Sequence, residues 1–451
     1  FRRGEDMSAS TSLRIETKGI APVAPGECHG SPRALFGLWM AANVEFATLT
    51  TGALATGVFG LSASAAFAAI VLGNVIGGIL LAAFSTYGVD YGLPQMIQGA
   101  NWFGRLGNRL PSFLNFFGGF SWFAVNTIIG AYALQYLLHT PLIADVLALA
   151  AVQVLIAAVG HDLIHTAEKY FVYLLVLVFA ILTVLAAQHI PSLPAAQPKL
   201  LKAVGGFSGA FILTTSVILA YVLGWIPYSS DYTRYLCHAD EAPEVKRRVF
   251  AYALSGSLVS TIWIEGLGAV IGATVALGKP SDLFTAWLPG WFRAPLIVAI
   301  IVGTVSANIL NVYSATLSSL AVGFRLKQAH AALLTGIIGT IISVLAAEHF
   351  IASYENFLFV LGYWTMPWIA VMVLGHYTSR VSRIGISAGF IAWLAGIAAS
   401  VPFFNQQIYT GAFAASHPQW GDISFAVSAA VSAIVYLALS RSAPARGFAA
   451  G

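Results

Sequence analysis

Charge is what this sequence has least of. Only 9% of its 451 residues are Asp, Glu, Lys or Arg, where a soluble domain carries about 25%. Such a chain cannot keep most of its surface in water, which excludes an ordinary soluble enzyme. The net charge of +4 comes from few groups and points to no nucleic-acid partner. Cysteine is nearly absent: Cys28 and Cys237 are far apart and predict two ordinary thiols rather than a disulfide framework. The first 30 residues are polar and contain Pro and Gly, so no cleavable signal peptide is expected. Metal-ligand spacing is scarce too. HDLIH at 161–165 sets two His four residues apart but lacks the H-E-x-x-H arrangement, and reads as an amphipathic loop helix continuing into Glu168 and Lys169.

What the chain has is apolar length. Hydrophobic residues make up 58% of it, in runs of roughly 20, the length that crosses a hydrocarbon core of about 30 Å. Twelve such runs lie near 34–58, 62–86, 111–138, 142–159, 169–188, 207–231, 248–277, 294–322, 330–347, 353–376, 384–403 and 423–440. In lipid each backbone polar group needs an internal partner, so these runs are predicted as helices. With both termini in the cytoplasm, Lys and Arg fall almost wholly on the inner side. Only Lys199, Lys202, Lys279 and Arg293 fall outside.

Two runs look broken. The first, LWMAANVEFATLTTGALATGVFG, places Asn43, Glu45, Thr48, Thr50, Thr51 and Gly52 inside a span. The sixth, SVILAYVLGWIPYSSDYTRY, carries Gly224 and Pro227 beside Trp225, and Pro opposes a continuous helix. Interrupted spans at corresponding positions of two halves predict a transporter built of inverted repeats. This reading divides the chain into a tail (1–33), a first five-helix repeat (34–190), a second (204–377) and two additional helices (384–440).

Polar side chains at membrane depth narrow the cargo. Glu45 is either a neutral carboxyl bonded between helices or a group that couples protons or binds substrate. Glu265, in the seventh span, poses the same question. Trp122 and Asn126 share a helical face at i, i+4; Trp225 sits at the second break, and Asn308 and Asn311 lie in the eighth span. Indoles stack on the faces of a flat heteroaromatic ring and carboxamides pair with its edge.

The stretches WMAANVEFATLTTGALATGVFGL, YGVDYGLPQMI, SWFAVNT, GHDLIHTAEKY, GWIPYSSDYTRY, ANILNVYSATLS and YENFLFVLGYW, in that order, resemble the nucleobase–cation symporter-1 family, within it the cytosine–purine permeases. The resemblance implies an all-α membrane protein of LeuT-like fold, ten helices in two inverted repeats plus two C-terminal helices. It implies a nucleobase sandwiched by Trp122 and Trp225 and bonded at its edge by Asn126 and Asn311. A hydroxyl from Thr48 or Thr50 would lie nearby, and Phe359 and Tyr363 would form the thin outer gate. Three positions depart from the family. Ser306 is followed by Ala307, so one hydroxyl of the sodium site is missing. Ala307 and Leu310 replace an Asn and a Pro, and Glu45 is unusual at its position. The departures favour a co-transported proton over sodium, with Glu45 and Ser306 as ion-coupling candidates.

The expectation is therefore a multi-pass plasma (inner) membrane symporter for a planar nitrogen heterocycle, most simply cytosine or a purine. Hydantoin, allantoin, a thiamine-precursor pyrimidine, a B6 vitamer and sodium coupling stay open. No cofactor and no obligate protein partner is implied, and no nucleophile–base pair or attached signalling domain supports an enzyme or a sensor.

Overall fold

A computed structural model describes residues 19–159, 161–236, 242–285, 288–324, 328–378, 380–382 and 387–442. The tail before residue 19, Cys237 and the side chains of His161 and His165 lie outside what is described. All twelve predicted runs are helical. The main elements are α1 (Ala34–Asn43), α2 (Phe46–Gly57), α3 (Ala63–Tyr91), α4 (Arg109–Leu138), α5 (Leu142–Val159), α6 (His161–Ala187), α7 (Gly206–Leu223), α8 (Ser229–Thr233), α9 (Ala242–Gly272), α10 (Gly290–Val322), α11 (Gln328–Ala346), α12 (Phe350–Thr378), α13 (Ala388–Ser400) and α14 (Ser424–Leu439).

Helix ends carry local signals. Ser62 caps α3 by accepting from the Ala65 amide, and Gly92 closes it in the left-handed conformation. Six helical stretches among the described residues are long and apolar enough to cross a membrane. The last, His330–Thr378, joins two predicted runs through a 3-10 turn at Ala347–His349. Along α11 the exposed side chains Leu333, Ile337, Ile341 and Leu345 recur every fourth residue. An unpartnered aliphatic stripe of this length suits lipid, not water.

The helices form two groups. In one, α9 packs on α1, α2 and α3, and α3 packs on α7 and α8. In the other, α4 packs on α10, α11 and α5. The long α12 touches α7 from the first group and α4 from the second, and also carries the C-terminal pair α13 and α14. A short antiparallel pairing, Arg380–Ser382 (β1) with Ser440–Ser442 (β2), ties the end of α14 to the end of α12.

The first group is held by backbone contact. A Cβ on Gly52 would lie 1.9 Å from the Glu265 carbonyl oxygen, and one on Gly268 would lie 1.9 Å from the Leu49 carbonyl oxygen. Glycine lets α2 and α9 meet without side chains between them. One expectation is corrected: Cys28 is in a disulfide rather than a free thiol, and the only other cysteine in the chain is Cys237. Sequence separation is a poor guide here, because residues 19–30 fold back on the segment after α8, where the His29 amide donates to the Tyr235 carbonyl.

Gly52→Ala should lower unfolding stability in detergent by about 1–3 kcal/mol, the usual cost of overpacking. Gly290→Ala, where an added Cβ meets nothing, should leave the melting temperature unchanged.

Candidate functional site

The first break is sharp. α1 ends at Asn43, Val44 leaves the helical region (φ −82°, ψ 69°), and Glu45 is fully extended (φ −145°, ψ 170°) before α2 starts. The amides opening α2 therefore have no preceding turn to donate into, and the positive end of its dipole sits at the break. Asn43 turns its side chain back onto the Trp39 carbonyl at 2.7 Å. The second break runs from Gly224 through the 3-10 turn Ile226–Tyr228 into α8. Space is tight at Gly224, where an added Cβ would lie 3.2 Å from Cζ2 of the Trp122 indole.

Beside these breaks lies a cavity of about 80 Å³. Glu45 and Trp225 line it from the breaks, and Ser306, Ala307 and Leu310 line it from α10. The indole Nε1 of Trp225 is buried with no hydrogen-bond partner. Trp225 meets Trp39 edge-on at 6.0 Å. Trp122 is not in the cavity wall; it packs edge-on against Tyr221 at 5.7 Å and Phe357 at 5.1 Å. The two indoles thus flank one turn of the chain, but only Trp225 faces this space.

Glu45 is 6% exposed and forms no ion pair among the described residues. Its Oε1 accepts from the Tyr221 hydroxyl at 3.3 Å, and the same hydroxyl lies 2.6 Å from Thr48 Oγ1. One turn on, Thr51 pairs with the Tyr354 hydroxyl at 2.7 Å. Thr50 is occupied by the Phe46 carbonyl at 2.8 Å. Of the two hydroxyls left open from sequence, Thr48 is the one joined to Glu45.

The carboxamides divide. Asn126 donates to the Trp122 carbonyl at 3.2 Å, and its Oδ1 is buried without a partner. Asn308 is spent on the scaffold: its amide donates to Gln153 Oε1 at 2.9 Å and to the Phe123 carbonyl at 3.1 Å, and its oxygen accepts from Asn311 at 3.1 Å. Asn308 thus forms a strut joining α4, α5 and α10.

Phe359 and Tyr363, the expected gate, both lie on α12. Tyr363 stacks on Phe404 at 3.6 Å and donates to Asp422 Oδ2 at 2.7 Å, while Phe359 packs against Tyr363 and Phe425. Both face the C-terminal helices. Burial raises the Asp422 carboxyl above the ordinary carboxylate value, and its bonds from Ser424, Tyr363 and Asn405 oppose that rise. Elsewhere around α12, Tyr354 meets α2 at Thr51 and Phe357 meets Trp122 on α4.

Tyr221, Tyr354 and Trp39 were not singled out from sequence. The available signal was the spacing that sets Tyr221 four residues before Trp225.

Comparison with known proteins places this geometry. A family model described as a permease for cytosine/purines, uracil, thiamine and allantoin matches residues 22–428. The chain is 30% identical to YxlA of Bacillus subtilis, covering 95% of this chain and 96% of that one. It is 26% identical to the purine-cytosine permease fcyB of Emericella nidulans, over 95% and 89%. Among solved structures it resembles the inward-facing conformation of Mhp1, with a TM-score of 0.72, 15% identity and 93% and 92% coverage. It also resembles Mhp1, a nucleobase-cation-symport-1 family transporter, closed with bromovinylhydantoin bound, at 0.66, 16%, and 94% and 95%. The fold is all-α and LeuT-like.

Asn308→Ala should cost about 1–3 kcal/mol of stability, since it strands buried polar partners. Asn126→Ala, whose oxygen has no partner to lose, should unfold within about 0.5 kcal/mol of the parent protein; thermal unfolding of both variants checks the contrast.

Proposed function

Because the chain belongs to the family of permeases for cytosine/purines, uracil, thiamine and allantoin, and is on that ground a nucleobase-type membrane transporter and not an enzyme, we propose that it imports cytosine or a purine together with a proton. The observation that carries this reading is the cavity at the helix breaks, lined by the buried Glu45 and by Trp225, whose indole N–H has no partner. A ring nitrogen or carbonyl would satisfy the Trp225 N–H, and a ring N–H would suit Glu45.

Trp122 would then supply the second face of an aromatic clamp by swinging from its edge-on seat once a ring enters. Asn126, with its free oxygen, and Asn311 would bond the ring edge. Ser306 shares the wall with Glu45, but Ala307 beside it brings no hydroxyl. One hydroxyl next to a carboxylate favours a proton over sodium as the coupled cation. Alternating access needs no covalent step: one helix group rocks against the other around the site. The Lys and Arg distribution supports an orientation with both termini cytoplasmic. A hydantoin or a B6 vitamer would meet the same groups, and the ligand screen below separates these cargoes.

A thermal-shift screen of purified protein against cytosine, adenine, hypoxanthine, uracil, allantoin, hydantoin and pyridoxine should single out a nucleobase. A ligand at about 100 times its Kd stabilises by roughly 2.7 kcal/mol. Trp225→Ala and Trp122→Ala should each weaken that ligand by roughly 5–150-fold, the range of about 1–3 kcal/mol for base stacking. Wild-type affinity in either variant removes the clamp. In proteoliposomes, Glu45→Gln should abolish accumulation driven by a pH gradient while exchange at equal pH continues; strict dependence on sodium would overturn proton symport.

A further inference from the structure

Three groups at the first break form a chain in which each member has a single proton to place. Glu45 Oε1 lies 3.3 Å from the Tyr221 hydroxyl, which lies 2.6 Å from Thr48 Oγ1. An ionised carboxylate only accepts, so Tyr221 must donate to Glu45 in that state. Thr48 then has to donate to Tyr221 to hold the second contact. When Glu45 carries a proton, its own O–H can donate to the Tyr221 oxygen. The Tyr221 proton turns to Thr48 Oγ1, and the Thr48 proton is released.

The released proton has no helical carbonyl waiting. Thr50 and Thr51 donate four residues back, to Phe46 and Ala47. The equivalent partner for Thr48 would be Val44, where the backbone leaves the helix, and no such bond forms. We propose that Tyr221 is a positioning residue that reports the protonation state of Glu45 to Thr48, so that Thr48 becomes a free hydrogen-bond donor for an acceptor atom of the substrate only when the proton is bound. This rests on the reading that Glu45 takes up the coupled proton, and it supplies the link that makes proton and substrate stabilise each other.

Of the three, Glu45 lines the cavity, while Tyr221 and Thr48 are fully buried and outside its wall. The titratable groups facing the three are Tyr354 on α12 and Glu265 on α9. Glu265 is held by the Asn74 amide on α3, and Tyr354 is bonded to Thr51 and the Ala47 carbonyl. The α6 and α10 walls contribute Val172, Leu175 and Ser306. No Lys, Arg or His among the described residues bonds to any member of the chain.

The test compares affinities for cytosine and adenine at about pH 5.5 and about pH 8, and reads the ratio between them. In the wild type, binding should be about fivefold tighter at the lower pH, the worth of one hydrogen bond. Tyr221→Phe keeps the ring against Trp122 but breaks the chain, so Thr48 is free at both pH values. That variant should bind with the wild-type low-pH affinity and a pH ratio near one. A Tyr221 that only packs would lower affinity equally at both pH values and keep the ratio. Thr48→Val removes the far end and should give a flat profile at the weaker affinity; it decides the matter if Tyr221→Phe does not fold. A wild-type ratio in Tyr221→Phe with a flat Glu45→Gln overturns the relay and leaves Glu45 as the proton site. A wild-type ratio in Glu45→Gln overturns both. Should neither base bind, hydrogen exchange of the amides over residues 44–51 in ligand-free protein decides. A pH-dependent protection lost in Tyr221→Phe supports the relay while the nucleobase reading fails, and its absence in the wild type overturns the relay.

Discussion

Everything in this protein depends on where backbone hydrogen bonds can be left open. In hydrocarbon an unpaired peptide group costs several kcal/mol, so a broken helix is tolerated only where it is wrapped in protein or lines a cavity. Both breaks, at Val44–Glu45 and at Gly224–Tyr228, are met by side chains that repair them. Asn43 and Ser260 both donate to the Trp39 carbonyl. Ser229 donates to the Ile226 carbonyl and Ser230 to the Phe84 carbonyl. Past the second break, Gln95 offers its main-chain amide to Asp231 and its side-chain oxygen to both serines. Glu45 and Trp225, one from each break, line the same cavity.

The helices and their breaks were legible in the sequence because each is a local matter. A run of apolar residues, a Gly before a Pro, or a carboxylate in the middle of a span needs no knowledge of what lies opposite. The side chains that face the site were legible only where a helical face was already implied, as for Glu45, Trp225 and Ser306. Asn308 and Asn311 sit three residues apart on one helix, and sequence cannot say which looks inward. That depends on Gln153 from α5 reaching across to claim Asn308. The same applies to α12, where the rotation that sends Tyr363 to Asp422 also delivers Tyr354 to Thr51. Tyr221 was hidden for a further reason: tyrosine is unremarkable in an apolar helix until two partners converge on its one hydroxyl.

The two helix groups are built by different means. The first, around α2 and α9, closes backbone to backbone through glycine, which leaves little room for adjustment. The second is laced by polar side chains: the Thr127, Gln153, Asn308 and Asn311 ladder and the bond from Asn115 to Ser318. Each group is stiff within itself, while the surface between them carries the cavity and mostly aromatic edges such as Trp122 against Tyr221. Stiff parts with a soft seam are what a rocking motion requires.

The seat of Tyr363 has a mechanical meaning. Its ring lies flat on Phe404 and its hydroxyl is bonded to a buried carboxylate in the loop before α14. This clamps α12 near its middle, just before Pro367 interrupts the hydrogen-bond ladder. A rod clamped at its centre and notched beside the clamp cannot slide as one piece. It can only flex on either side, like a see-saw whose bearing is bolted to the C-terminal pair. In a rocking cycle the last two helices would serve as the fulcrum against which the two ends of α12 are levered.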